Sequence, residues 1–190
     1  MPSQVLTLRH PFLKFLKPLV LFTALSISCA TADNLPNICS RDQNPNEFTV
    51  LSYHEISEKS ETLDSSYAVT PEHFEEQVDW LMKSGYRFIS IDDILKYRKG
   101  KKPLPKKAVL ITFDDGYQSV YTNAFPVIKK YKIPVVIALV GSWMEAKENV
   151  DFDGHKIARS KFLSQKEIQE MVRSGLVEIA SHTYSLHKGI

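Results

Sequence analysis

The sequence predicts an α/β fold, an incomplete (β/α) barrel of about five parallel strands and four helices. Three observations point there. Strand-like and helix-like stretches alternate along most of the chain, the pattern of a parallel sheet with helical crossovers. Two of the strand-like stretches, residues 108–113 and 134–140, are almost wholly apolar, as strands covered on both faces are. Polar residues cluster directly after such runs, at the end of the sheet where parallel folds carry their chemistry.

The chain of 190 residues has 43% hydrophobic and 24% charged residues, which excludes a disordered or fibrous class. Its net charge of +2 is no signature of nucleic-acid binding. Residues 1–32 hold Arg9, Lys14 and Lys17 and no acid, and without them the balance is 21 basic to 22 acidic residues. Residues 1–32 are expected to be a signal peptide. A basic start leads into the short apolar run 19–30, and Ala30-Thr31-Ala32 is a cleavage site of the small-residue kind. Cys29 offers lipidation as the rival outcome; Ser26, where a lipoprotein site usually has leucine, favours cleavage before Asp33. Export, to the periplasm or the outer membrane, is the expectation. Cleavage would leave Cys39 alone, with no partner for a disulfide.

Residues 33–46, with Pro36 and Pro45 and little apolar material, are expected to be a flexible lead-in, and residues 47–190 the domain. The first strand covers 48–53 and ends in His54-Glu55. Thr70-Pro71 opens the first helix as N-cap and N1. Phe74, Val78, Leu81 and Met82 form its apolar stripe, and Gly85 ends it. A second strand over 86–91 and a short helix over 92–98 follow. The basic run to Lys107 reads as a solvated loop, with an anionic-polymer contact as the minority reading.

The third strand runs into Asp114-Asp115-Gly116. A helical stretch over 118–131 contains Pro126, which should kink or restart it. After the fourth strand a polar loop is expected from Gly141 to about Leu163; loops this long are uncommon and often functional. Trp143 at its start is a candidate sugar platform or a cover for the barrel end. Ser164-Gln165-Lys166-Glu167 is a capping box opening a helix whose Ile168, Met171 and Val172 should face the core. The fifth strand, 176–180, ends in Ser181-His182-Thr183, with His187 beyond it. A closed barrel usually needs about 200 residues or more, so the sheet is expected to be open or part of a larger domain.

Three polar clusters thus lie at strand ends: His54-Glu55, Asp114-Asp115, and His182 with His187. Successive strand residues point to opposite faces, so Asp114 and Asp115 should have different roles. The histidines are five apart and would share a face on neither a helix nor a strand. They can meet only if His182 closes the strand and the loop brings His187 back. Two imidazoles and one carboxylate suit Zn²⁺ or another first-row divalent metal, leaving one carboxylate as a base. Histidines at this spacing alone would be ordinary surface residues; the acid pair changes the weighing. A phosphotransferase with paired aspartates is disfavoured, because there the acids sit at i and i+2 and here they are adjacent.

Thr112-Phe113-Asp114-Asp115-Gly116 resembles the first motif of the NodB-homology polysaccharide deacetylases (carbohydrate esterase family four), and Ser181-His182-Thr183 with His187 resembles the second. The five-residue spacing, Leu51-Ser52-Tyr53-His54-Glu55 and Val140-Gly141-Ser142-Trp143 resemble the branch acting on poly-β-1,6-N-acetyl-D-glucosamine, a biofilm exopolysaccharide. The resemblance spans about residues 47–190. It implies a barrel of the polysaccharide-deacetylase type, with a metal held by Asp115, His182 and His187 and with Asp114 as catalytic base. It also implies His54 as general acid, against the alternative of a histidine bonded at a strand end. Zinc is the first choice of metal, with iron, cobalt or nickel as alternatives. Trp143 and Tyr117 are assigned to substrate, the partner is the β-1,6-linked polymer, and outer-membrane export partners are implied. The family's later motifs, an arginine-containing groove segment and an aspartate/tryptophan segment, have no match. The expectation is therefore an N-terminal part of the domain, either active or a fragment that keeps only carbohydrate binding.

Overall fold

A computed structural model describes residues 5–6, 47–152 and 154–187. The proposed cleavage site, Cys29, Cys39 and the lead-in lie outside the described residues. Strand β1 (Val5–Leu6) runs antiparallel beside β2 (Phe48–Tyr53). Two short strands, β3 (Glu55–Ile56) and β4 (Ala68–Val69), pair in parallel to frame the loop that precedes helix α1 (Pro71–Lys83). Then come β5 (Arg87–Phe88), α2 (Ile91–Arg98), β6 (Ala108–Asp115), α3 (Phe125–Tyr131) and β7 (Val135–Val140). The main sheet has the order β1-β2-β6-β7 followed by β10 (Val177–Thr183), with β5 alongside the start of β6. All its pairings except that of β1 are parallel. The expected partial barrel, with its five parallel strands, is what the chain forms.

Local chemistry explains most boundaries. The Thr70 side chain accepts from the His73 N–H and caps α1. A Ser90/Asp93 capping box starts α2 and draws the chain out of the sheet, which is why β5 is shorter than the run 86–91 suggested. Pro126 does restart its helix: a π-helical turn over Val120–Ala124 precedes α3, where the proline occupies the first turn and needs no N–H partner.

Alternation along β6 splits the core. Ile111 and Phe113 join Tyr53, Phe74, Val78, Ile128, Ile137 and Met171 beneath the helices. Ala108 and Leu110 join Ile89, Leu104 and Val136 on the other face. Burial pushes the Tyr53 phenol up to about 12, and its hydroxyl donates to Gln77 Oε1 at 2.7 Å. Two expected core residues are exposed, Met82 at 43% and Val172 at 44%. Met82 stands about 80° round α1 from Phe74, and Val172 about 100° round its helix from Met171, off the buried stripe in each case.

The stretch 141–163 is not a plain loop. It holds α4 (Gly141–Glu145), a hairpin of β8 (Asn149–Phe152) and β9 (His155–Ala158), and a 3₁₀ turn. Gly154, with φ +83°, lies in the turn of that hairpin. Arg159 closes the excursion, donating to the carbonyls of Phe162 at 3.0 Å and Leu163 at 2.8 Å. Helix α5 (Gln165–Arg173) follows with the expected Ser164/Glu167 box. No helix among the described residues is long and apolar enough to cross a membrane.

Candidate active site

Strand β6 ends in an unusual turn. The Gly116 N–H donates to the Asp114 carbonyl at 2.8 Å, and Asp115 between them has φ +71°. A three-residue turn with positive φ at a residue bearing a Cβ is rare and strained, and such strain persists where the surroundings over-determine it. Gly116 itself has φ +81°, and a Cβ there would lie 2.6 Å from Leu139 Cδ2. Gly116→Ala is therefore expected to cost about 2 kcal/mol, from overpacking and left-handed backbone together, read as a lower denaturation midpoint with an unchanged slope. The Leu163 N–H donates to the Gly116 carbonyl at 2.8 Å, and Tyr117 bridges to Phe162, so the excursion 141–163 packs directly on this turn.

Asp115 is buried, 1% exposed, and two imidazoles reach its Oδ1: His187 Nε2 at 3.2 Å and His182 Nε2 at 3.6 Å. His182 lies within β10 rather than after it. A β-bulge falls there, because Ser181 pairs with Leu139 while Thr183 already pairs with Val140. The extra residue re-aims the side chain, as bulges near sites do. The loop then returns His187, as the spacing required. The Leu186 N–H donates to Thr183 Oγ1 at 3.0 Å and the Ser142 N–H to the Tyr184 carbonyl at 2.8 Å.

Asp115 Oδ1 is buried without a hydrogen bond, although two ring nitrogens point at it. Ligands about 2.0–2.1 Å from a tetrahedral metal stand about 3.3 Å from each other, close to both of these separations. No group of three or more such side chains among the described residues closes into a finished metal cluster. The donor set and the two short edges nevertheless fit a divalent cation at Asp115, His182 and His187.

Asp114 points the other way and its Oδ2 accepts from Ser52 Oγ at 2.9 Å. Because Tyr53 pairs with Phe113, His54 follows on the level of Asp114 at the end of the neighbouring strand. Its ring packs on Tyr67, with centroids 5.0 Å apart. Glu55 turns inward and is structural. It accepts from Thr62 Oγ1 at 2.7 Å and from the Leu63 N–H at 2.9 Å, pinning the loop before α1.

Two substrate assignments need correction. Tyr117 is buried at 3% and stacks on Phe162, because the tight turn at Gly116 folds it into the core. Trp143 is 5% exposed and packs against Phe162 and His187, with centroids 4.9 and 4.7 Å away. It covers the barrel end and backs His187, and only its small exposed fraction lines a cavity of about 680 Å³ that His187 and Asp151 also line. The sequence reading missed Ser52, which sits two residues before His54 and so on its face of β2.

Parallel strands with an acid pair on one end and two histidines on another define a partial (β/α) barrel with a mixed oxygen and nitrogen centre. Residues 101–188 match the polysaccharide deacetylase family model. Over 148 residues it is 41% identical to the poly-β-1,6-N-acetyl-D-glucosamine N-deacetylase of Escherichia coli (strain K12), covering 76% of this chain and 22% of that protein. The enzyme of the same name from Staphylococcus epidermidis is 31% identical over 188 residues, 93% of this chain and 62% of that one. Among solved structures, the de-N-acetylase from Aggregatibacter actinomycetemcomitans superposes with a TM-score of 0.70 at 35% identity, over 75% of this chain and 57% of that one. The chain thus spans from about a fifth to under two thirds of the length of these relatives.

Proposed function

We propose that this chain forms the catalytic-acid, base and metal-ligand part of a metal-dependent N-deacetylase acting on poly-β-1,6-N-acetyl-D-glucosamine, with release of acetate. The observation that carries the reading is the convergence of His182 and His187 on the buried Asp115 oxygen, one residue from a second carboxylate facing the other way. Relatives bearing that activity in their names support the substrate.

A divalent metal held by Asp115, His182 and His187 would supply Lewis acidity at the site. Zinc suits this ligand set, and iron, cobalt or nickel are alternatives. Asp114 then acts as the base. The Ser52 hydroxyl holds its Oδ2 and leaves the other oxygen to take the proton of the attacking water. The water oxygen bonds to the acetamide carbon, the carbon–nitrogen bond breaks, and a proton passes to the departing glucosamine nitrogen. His54 is the group proposed to deliver that proton. The leader-like composition of residues 1–32 supports export, to the periplasm or the outer membrane, where partners that export the polymer would meet it.

The test is acetate release from β-1,6-linked N-acetylglucosamine oligomers by the purified chain. Activity should vanish on chelation and return with added Zn²⁺ or Co²⁺. Bound metal without acetate would point instead to a carbohydrate-binding piece, and a chain that takes up no metal would defeat the reading.

A further inference from the structure

We propose that Tyr184, seated on Gly141 and bonded to Glu145, is a positioning residue that sets where His187 meets Asp115. The inference rests on Asp115, His182 and His187 being metal ligands.

His187 lies four residues past the end of β10, in a stretch without regular secondary structure. An imidazole carried on so short an irregular segment needs an external hold to stay 3.2 Å from a buried carboxylate. Helix α4 provides it at two points. At the first, Tyr184 is gripped three ways. Its carbonyl accepts from the Ser142 N–H at 2.8 Å, its hydroxyl donates to Glu145 Oε2 at 2.9 Å, and its ring occupies the space a side chain at Gly141 would need. A Cβ on Gly141 would stand 2.8 Å from Tyr184 Cδ2, closer than such contacts allow. At the second point, Trp143 of the same helix backs the His187 ring.

Tyr184 is 62% exposed, so its ring is no core filler. Burial would not select an aromatic there; what it does is tie the loop to α4. The helix is in turn continuous with β7, the strand that pairs with both Asp115 and Ser181. The carboxylate and both imidazoles are thereby referred to one rigid element, which is what precise ligand placement requires. The bulge at His182 and the Tyr184 clamp together determine the path between the two histidines.

The test uses the full chain and competitive chelator titration of Zn²⁺. Tyr184→Ala should weaken metal binding about 10–100-fold, the range for groups that orient ligands, while the melting temperature of the metal-free protein stays put. Tyr184→Phe keeps the ring on Gly141 and should lose less, under about tenfold. Gly141→Ala should follow Tyr184→Ala, because the methyl group displaces the ring. Independently of metal, hydrogen exchange at the Leu186 amide should quicken at least about tenfold in Tyr184→Ala, as a locally opened loop exchanges faster. Unchanged metal affinity in Tyr184→Ala overturns the proposal. A wild-type chain that takes up no metal defeats the functional reading instead. The clamp then stands if Leu186 exchange quickens in Tyr184→Ala and falls if it does not.

Discussion

Asp115→Ala is expected to abolish metal retention, weakening affinity by well over about 100-fold, since loss of a ligand should exceed the loss caused by an outer-shell partner. Asp115 supplies the oxygen on which the two Nε2 atoms converge, at 3.2 and 3.6 Å, so its removal takes away the shared focus of the two imidazoles. His182→Ala should act in the same direction. Metal content after gel filtration, followed by chelator competition, measures the effect. Stability of the metal-free protein should move far less, because a buried carboxylate oxygen without a hydrogen bond is itself a cost to the fold. Stoichiometric metal in the alanine variant would remove Asp115 from the ligand set.

Asp114→Asn is expected to do the opposite: full metal content, with kcat lowered about 10²–10⁴-fold and KM little changed. The amide is nearly the same shape and its oxygen can still accept from Ser52, so the side chain keeps its place. What it loses is the capacity to take a proton. Normal turnover in this variant would sink the base assignment, and lost metal would show that the two carboxylates are not functionally separate.

These two substitutions follow from neighbouring residues that strand alternation already separates. Alternation places Asp114 on the face of Leu110 and Asp115 on that of Phe113, and the core divides along the same lines. The helix boundaries at Thr70, Ser90 and Ser164 follow equally from local capping chemistry, where donor and acceptor are at most three residues apart. Features that depend on partners distant in sequence were less accessible. Trp143 looks like a platform when only its neighbours in the chain are known. It becomes a buried wall once Phe152, Phe162 and His187 have folded onto it. Tyr117 likewise changes from a substrate contact to core when Phe162 returns across 45 residues to stack on it.

By itself, the sequence determined the partial parallel barrel, the acid pair at the end of β6 and the need for a loop that returns His187. Each of these follows from periodicities and side-chain chemistry local to a few residues. Only the tertiary structure decided how the return is made. The bulge at His182 arises from register against β7, the need for a bare backbone at Gly116 from the packing of Leu139 and Leu163 on it, and the seat of Tyr184 from the bare backbone at Gly141. Those are contacts between segments far apart in the chain, and the packing that brings them together has no period that sequence alone could display.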